Sequence, residues 1–398
     1  MALMNMKILI MDTIKPLDRD GSAIHRWELV NNLVKLGCEV YALSDIPINP
    51  EGVHIYPLPK RSKITYIIQL IKLVKRHHFD IIYTRNIIIG IIGLLIKKVC
   101  KLKLIREVNS ISRDEWVLEE KQLTREWKRL RSIKLKFLGY LELFVIRKAD
   151  AIIVVTQGIK SYLVKQGVNG NKIWVIENGA NTELFKPIKN SNVLNDLKDR
   201  LHITDDERVV LFVGNLAPWQ GVEYLLRAAP IIIEENPKTK ILIVGDGVLK
   251  EQLELLSKEL NIEHDLIFTG TVPYEKVPEY INISDVCAAP FIRARNKSMG
   301  LSPLKIYEYL ACAKPVVASN IKGVGDLLED SNSGVCVEPD NYNELATAIA
   351  KLLKDEVLRG QMGINGRKTV IEKYSWANTA RKMKEVFENI SEGSDGYH

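Results

Sequence analysis

Gly300 to Ala318, GLSPLKIYEYLACAKPVVA, reads as a glycine loop, then a helix, then a strand. Gly300 and Ser302-Pro303 punctuate the start. Ser302 is placed to cap the helix, with Pro303 at its first position, where a missing N–H costs nothing. The helix is expected from about Pro303 to Ala311. Lys314-Pro315 closes it, and Pro315 to Ala318 opens a buried strand. Unpaired amides at such a helix start form an anion site. Glu308 lies about one to two turns further along the helix. Phosphate on the amides and ribose hydroxyls on the carboxylate is an arrangement that suits a nucleotide.

Outward from this stretch, strands alternate with helices in both directions. Lys7 to Met11, Glu39 to Leu43, Asp80 to Thr84, Lys103 to Glu107, Ala151 to Val155 and Lys172 to Ile176 read as strands of a first set. Ala23 to Leu36 carries helical periodicity and ends at Gly37. A polar stretch from Phe185 to His202 is expected to be an interdomain linker. A second set follows it: Val209 to Gly214, Lys240 to Gly245, Leu266 to Gly270, Val286 to Pro290 and Pro315 to Ser319. Three of these end at glycine, which lets backbone approach a ligand at the carboxyl edge of a sheet. Such alternation implies parallel sheets covered by helices on both faces. A last helix is expected from about Trp376 to Asn389.

The chain's 398 residues suit two domains of roughly 100–200 residues each. At 46% hydrophobic and 26% charged, the composition is that of an ordinary globular protein rather than a disordered one. The five cysteines are scattered, with no close pair, so neither a disulfide framework nor a zinc site is expected, and a reducing compartment is. The histidines have no partners at metal-ligand spacing, so no metal is expected. Lys7 to Met11 is too short for the apolar core of a signal peptide. The longest apolar run, Ile87 to Ile96, is about half of the ~20 residues that span a bilayer, and is expected to be a buried helix.

Charge is divided unevenly. Residues 1–190 carry a net +14 and the remainder −7. The excess peaks between Lys97 and Lys148, where Trp116, Trp127, Phe137, Tyr140 and Phe144 are interleaved. This stretch is either a solvated helical face or a surface for anionic lipid or an anionic acceptor. It contains no nucleic-acid motif, and no nucleic-acid partner is expected.

Taken together, these segments resemble the retaining nucleotide-sugar glycosyltransferases of the GT-B fold, family four. Gly21-Ser22 stands where that family has a glycine pair beside the donor diphosphate. Glu177 to Phe185 is similar to its "P-N-G-V-D-x-x-x-F" turn. Phe212 to Val222 is similar to the "V-G-R-x-x-x-x-K-G" loop. Ile243 to Gly247 and Phe268 to Val272 match two further strand-end loops, the second placing Thr271 and Val272 beside the nucleobase. Ser302 to Ala311 resembles a Ser-Pro-Leu-Lys variant of the donor motif. Four positions depart from the family pattern. Gly300 replaces the first acid of the pair that ends at Glu308. Asn215 and Gln220 replace the Arg and Lys that neutralise the diphosphate. Asn109 stands on the acceptor side where a His is common.

The resemblance implies an α/β GT-B fold of two Rossmann-like, doubly wound parallel-sheet domains facing a cleft, with the C-terminal helix crossing back to the first domain. The expected limits are 1–187 for an acceptor domain, 188–372 for a donor domain, and 373–398 for the helix and tail. It implies a glycosyltransferase of class EC 2.4, hexosyl or N-acetylhexosaminyl, that uses a UDP or GDP sugar as co-substrate with no further cofactor and with retention of configuration. Gly21, Ser22, Asn215, Gln220, Thr271, Val272, Gly300, Leu301, Ser302, Pro303, Leu304 and Glu308 would bind the donor. Arg295 or Lys305 would stabilise the leaving phosphate, with Arg293 and Lys297 close by. Arg85, Asn109 and His25 would meet the acceptor, a lipid-linked or polysaccharide-precursor saccharide. A cytoplasmic protein, peripheral on the membrane through its basic first domain, is expected. Plain structural roles stay open: turns for Gly21 and Gly300, solvated helix for Glu308 and Lys305, an exposed basic loop for Arg293 to Lys297, an Asx turn for Asn109, and a structural histidine at 25. A weakened nucleotide-sugar-binding paralogue and a nucleotide-sugar epimerase are the alternative functions.

Overall fold

A computed structural model describes residues 6–13, 21–44, 51–57, 63–110, 125–296 and 299–392, without the side chains of 13, 63–66, 125–134 and 295–296. Trp116 and Lys297, and the side chains of Trp127 and Arg295, therefore lie outside the described residues. The chain divides into two compact units, Met1–Glu177 with Ala377–His398, and Asn178–Trp376. The division falls before the expected 187/188 boundary.

In the first unit seven strands, β1 (Lys7–Thr13), β2 (Glu39–Ser44), β3 (Val53–Pro57), β4 (Ile81–Thr84), β5 (Lys103–Val108), β6 (Ala151–Val154) and β7 (Ile173–Val175), pair in parallel in the order β3-β2-β1-β4-β5-β6-β7. Runs such as Ile81-Ile82 and Ile152-Ile153 are buried on both faces, as strands covered by helices on two sides must be. The helix Gly21–Lys35 packs Leu29, Val30 and Leu33 on one face of the sheet. The C-terminal helix Trp376–Ser391 adds Ala380, Met383, Val386 and Phe387 to the same layer. Lys384 Nζ donates to the carbonyl of Leu36 at 2.9 Å and pins that helix in place. The helices Lys63–His77 and Ile87–Cys100 cover the opposite face through Leu70, Leu73, Val74 and Ile96.

In the second unit β8 (Arg208–Val213), β9 (Thr239–Val244), β10 (Leu266–Gly270), β11 (Val286–Ala289), β12 (Val316–Ser319) and β13 (Gly334–Val337) form a parallel sheet in the order β10-β9-β8-β11-β12-β13. Helices Val222–Glu235 and Tyr342–Lys354 bury their apolar stripes on one face. Both sheets reverse strand order once, at β1/β4 and at β8/β11. Ligands of such sheets bind outside the carboxyl ends of the strands at that switch point.

Two expectations are corrected. The stretch from Phe185 to His202 is not an open linker. Phe185 is fully buried against Tyr274, ring centres 5.3 Å apart, and Asn190 caps a helix Ser191–Arg200. The polar letters of this segment belong to the exposed side of that helix, while Leu197 faces inward. The apolar run Ile87 to Ile96 is helical but only partly buried. Ile88, Ile91 and Leu95 stay exposed, because Gly93 and Ile96 face the sheet with Ile89 and Ile92 partly buried beside them, and Gly90 faces Val145 of the neighbouring helix.

Candidate functional site

The helix opened by the glycine loop in the second unit runs Leu304–Ala311. Pro303, in extended backbone, occupies the N-cap position without a side-chain cap, so Ser302 does not cap the helix. Its hydroxyl instead accepts the Asn178 N–H at 2.9 Å and pairs with the Tyr307 hydroxyl at 2.9 Å. Asn178 Nδ2 donates to the Ser302 carbonyl at 2.7 Å. Gly300 has φ +71, and a Cβ there would lie 2.7 Å from the carbonyl oxygen of Lys322. The Leu301 amide donates to that same oxygen at 3.0 Å, so it is not an anion-binding group. The amides of Leu304 and Lys305, in the first helical turn, have no intrahelical acceptor.

Lys305 is buried, with its Nζ 2.9 Å from Gln220 Oε1 and 3.8 Å from the centre of the Phe212 ring. Burial pushes its pKa down to about 7, against the pull of Glu308. Glu308 is buried as well, and Oε1 accepts the Tyr274 hydroxyl at 3.0 Å. Tyr309, one residue on, accepts the Val213 amide at 2.7 Å and locks the helix against the end of β8. Beyond β8, Asn215 is exposed, and the Leu216 amide donates to the Asp246 carbonyl at 2.9 Å, tying this loop to the one after β9. The Gly245 amide donates to the Gly270 carbonyl at 2.9 Å, directly before exposed Thr271 and half-buried Val272. Arg293 pairs with Glu338 at the surface. Of the expected donor residues, the fold thus brings Gln220, Lys305 and Glu308 together at the carboxyl edge of β8 and β11.

In the first unit a cavity of about 550 Å³ opens at the β1/β4 switch point. Asp12, Ser22, Arg26, Arg85, Asn86, Arg106, Glu107, Asn109 and Glu142 supply most of its polar lining. Ser22, Arg85 and Asn109 are sequence-predicted; Gly21 is only the first residue of the helix that carries Ser22. His25 does not line the cavity. It is buried behind Glu107, Nε2 3.0 Å from Oε1, while Arg85 Nε reaches the same oxygen at 3.3 Å. Asp12 accepts the amides of Arg85 and Asn86, and burial raises its pKa against the nearby guanidinium groups. Arg106 donates to the carbonyls of Thr84 and Glu107 and faces Glu142 at 3.8 Å. Among the described residues, Asn109 Oδ1 and Arg26 Nε are buried side-chain atoms without a hydrogen-bond partner. Such groups are costly unless a ligand satisfies them.

Asp12, Arg26, Asn86, Arg106, Glu107 and Glu142 were missed from the sequence. A signal existed for two: Arg106-Glu107 puts adjacent charges inside an otherwise apolar central strand, where charge is expensive without a purpose.

Two doubly wound parallel-sheet units of this kind are the architecture of GT-B glycosyltransferases. The family description "Glycosyl transferases group 1" matches residues 195–369, and "Glycosyltransferase Family 4" matches residues 19–184. The chain is a glycosyltransferase of this group 1, family 4 type. It is 26% identical over 383 residues to an uncharacterised glycosyltransferase of Methanocaldococcus jannaschii, covering 92% of this chain and 94% of that one. It is also 26% identical to the Escherichia coli UDP-Gal:alpha-D-GlcNAc-diphosphoundecaprenol alpha-1,3-galactosyltransferase, over 81% of this chain and 78% of that one. The solved structure of Anabaena HepE in complex with UDP-glucose superposes with a TM-score of 0.74 at 18% identity, covering 97% of this chain and all of that one.

Proposed function

We propose that the chain transfers a hexosyl or N-acetylhexosaminyl group from a UDP or GDP sugar to a saccharide acceptor, with retention of configuration and no further cofactor. The observation that carries this reading is the buried pair Lys305 and Glu308 on one short helix at the switch point of the second unit. Glu308, already held by Tyr274, takes the ribose hydroxyls. The Leu304 and Lys305 amides and the Lys305 ammonium take the diphosphate, whose charge needs a cation away from water. Lys305, reaching Gln220, supplies the charge missing from the loop, so the weakened-paralogue reading loses its motive. Asn215, Thr271 and Val272 complete the donor side. Arg295 is assigned no contact.

The acceptor binds the cavity of the first unit, where Asn109 orients its hydroxyl beside Arg85. An amide cannot accept the hydroxyl proton. In the step we favour, the anomeric carbon–oxygen bond to the diphosphate breaks while the acceptor oxygen bonds to the same face. The departing phosphate oxygen takes the acceptor proton. The Escherichia coli relative, named for UDP-galactose and a diphosphoundecaprenol-linked sugar, supports a lipid-linked or polysaccharide-precursor acceptor. A cytoplasmic, membrane-peripheral setting follows from that acceptor and from the +14 charge of residues 1–190.

The test is a thermal-shift screen of UDP, GDP, ADP and CMP, followed by release of nucleoside diphosphate from the matching sugar donors. One nucleotide should stabilise above the others, by RT ln(1 + [L]/Kd). A flat response to all four ends the donor assignment.

A further inference from the structure

Among the described residues no helix is long and apolar enough to cross a membrane. Yet the first unit exposes large apolar side chains in an ordered row. On the helix Ile87–Cys100, Ile88, Ile91, Leu95 and Val99 are 57%, 37%, 46% and 51% exposed. Their spacing of three and four residues puts them on one side. On the neighbouring helix Arg125–Lys148, Phe137, Tyr140 and Phe144 are 61%, 66% and 44% exposed, again on one side. Lys97 Nζ donates to the Lys148 carbonyl at 3.0 Å, so the two helices lie side by side. Exposed apolar rows on two neighbouring helices mark an interaction surface.

The charge around it selects the partner. Residues 63–77 and 87–101 contain no Asp or Glu, and 135–149 contain only Glu142, which is buried. Lys98, Lys101, Lys136, Arg147 and Lys148 are all exposed there. A second copy of the same face would bring cations against cations. An anionic bilayer surface satisfies both features, taking aromatic and aliphatic side chains at the headgroup level and the lysines at the phosphates.

We propose that the paired faces of these two helices dock the protein on an anionic membrane, with the acceptor cavity opening beside the docked surface. Ile88 belongs both to the exposed row and to the cavity lining, and Leu138, between Phe137 and Tyr140, lines the cavity as well. A lipid anchor lying in the bilayer then presents its sugar at the cavity lip without leaving the membrane. This delivery rests on the acceptor reading above; the docking does not.

The experiment is co-sedimentation of the full chain with phosphatidylcholine vesicles, with and without phosphatidylglycerol, at rising salt. The wild type should bind only the phosphatidylglycerol vesicles and be released by salt. The triple variant Phe137→Ser, Tyr140→Ser, Phe144→Ser and the pair Lys98→Glu, Lys136→Glu should each weaken binding by about tenfold or more, since each cation near the surface contributes appreciably. These positions are exposed, so far-UV dichroism and Tm should match the wild type. Absence of wild-type binding, or variants that sediment like it, overturns the proposal. So does a wild-type dimer that the aromatic triple variant turns into monomers. Asn109→Ala separates the two readings: it should retain vesicle binding while acceptor turnover falls, and vesicle binding with normal turnover removes only the acceptor assignment.

Discussion

Lys305 Nζ donates to Gln220 Oε1 across 2.9 Å, so a lysine from the helix stands beside the loop position where family members carry their own lysine. The ammonium also sits on the Phe212 ring, 3.8 Å from its centre, an attraction that partly offsets its lost hydration. Among the described residues, the buried cation at this site comes from the helix rather than from the loop.

That placement gives Lys305 a pH signature. Its pKa, about 7 in the fold against 10.5 for an ordinary solvated lysine, is lowered by burial. Between those values the unfolded chain holds a proton that the folded chain has released, so stability should rise with pH from about 7 to 10.5. Below about 7 both states are protonated, and the cost of the buried charge is fully present. Nucleotide binding should run the other way, because a diphosphate selects the ammonium form. Affinity for the selected nucleoside diphosphate should strengthen as pH falls from about 9 toward 7, by up to about tenfold per unit. Lys305→Met should lose about ten- to a hundredfold in affinity near pH 7 and flatten that dependence. Calorimetric titration across pH checks both, and a slope surviving in Lys305→Met would assign it to another group.

Glu308 and Tyr274 should behave as a graded pair. Glu308→Ala removes the proposed ribose acceptor and should abolish the nucleotide-induced thermal shift. Tyr274→Phe leaves the carboxylate in place and removes one hydrogen bond to it, and should cost only about tenfold in nucleotide affinity. Equal losses in the two variants would mean that the tyrosine, not the carboxylate, meets the ligand.

Much of this architecture was legible because the periodicities are strong. Apolar strands ending at Gly214, Gly245 and Gly270 announced the second sheet, and the strand order places those glycines at one edge. Short strands escaped notice: Val53–Pro57 lies among prolines, and Gly334–Val337 begins at a glycine. The role of Ser302 is hidden because a serine before Pro-Leu-Lys has the letters of a cap. Its actual partner, Asn178, is far away in sequence and invisible to local rules. The pairing of Lys305 with Gln220 is hidden for the same reason. The helix at Ile87 differs: when nearly every residue is apolar, periodicity cannot say which side faces water, and only packing decides.

Asn109 offers the cleanest separation of acceptor from donor. Its Oδ1 is buried at the cavity wall without a hydrogen-bond partner among the described residues. Asn109→Ala removes that cost and should not lower Tm, but should reduce acceptor turnover by about ten- to a hundredfold. Nucleotide affinity should be unchanged. A matching loss in nucleotide affinity would contradict the division of roles between the two units.

Glu107 tests whether the charged floor of that cavity is a single structure. It is nearly inaccessible, at 1% exposure, and touches both His25 and Arg85. Glu107→Ala leaves the Arg85 guanidinium facing an empty buried site, which should cost about 3–5 kcal/mol, the penalty of breaking a buried pair. Glu107→Gln keeps the shape and one acceptor oxygen, and should cost less. Combining His25→Ala with Glu107→Ala should then cost less than the two single losses added together, because the contact between the two residues is already broken, whereas the sum of two independent losses would be expected for residues that do not interact. Denaturant titration of the four proteins measures the coupling. A coupling near zero would make His25 a separate packing residue, and Glu107 would have to be held by Arg85 alone.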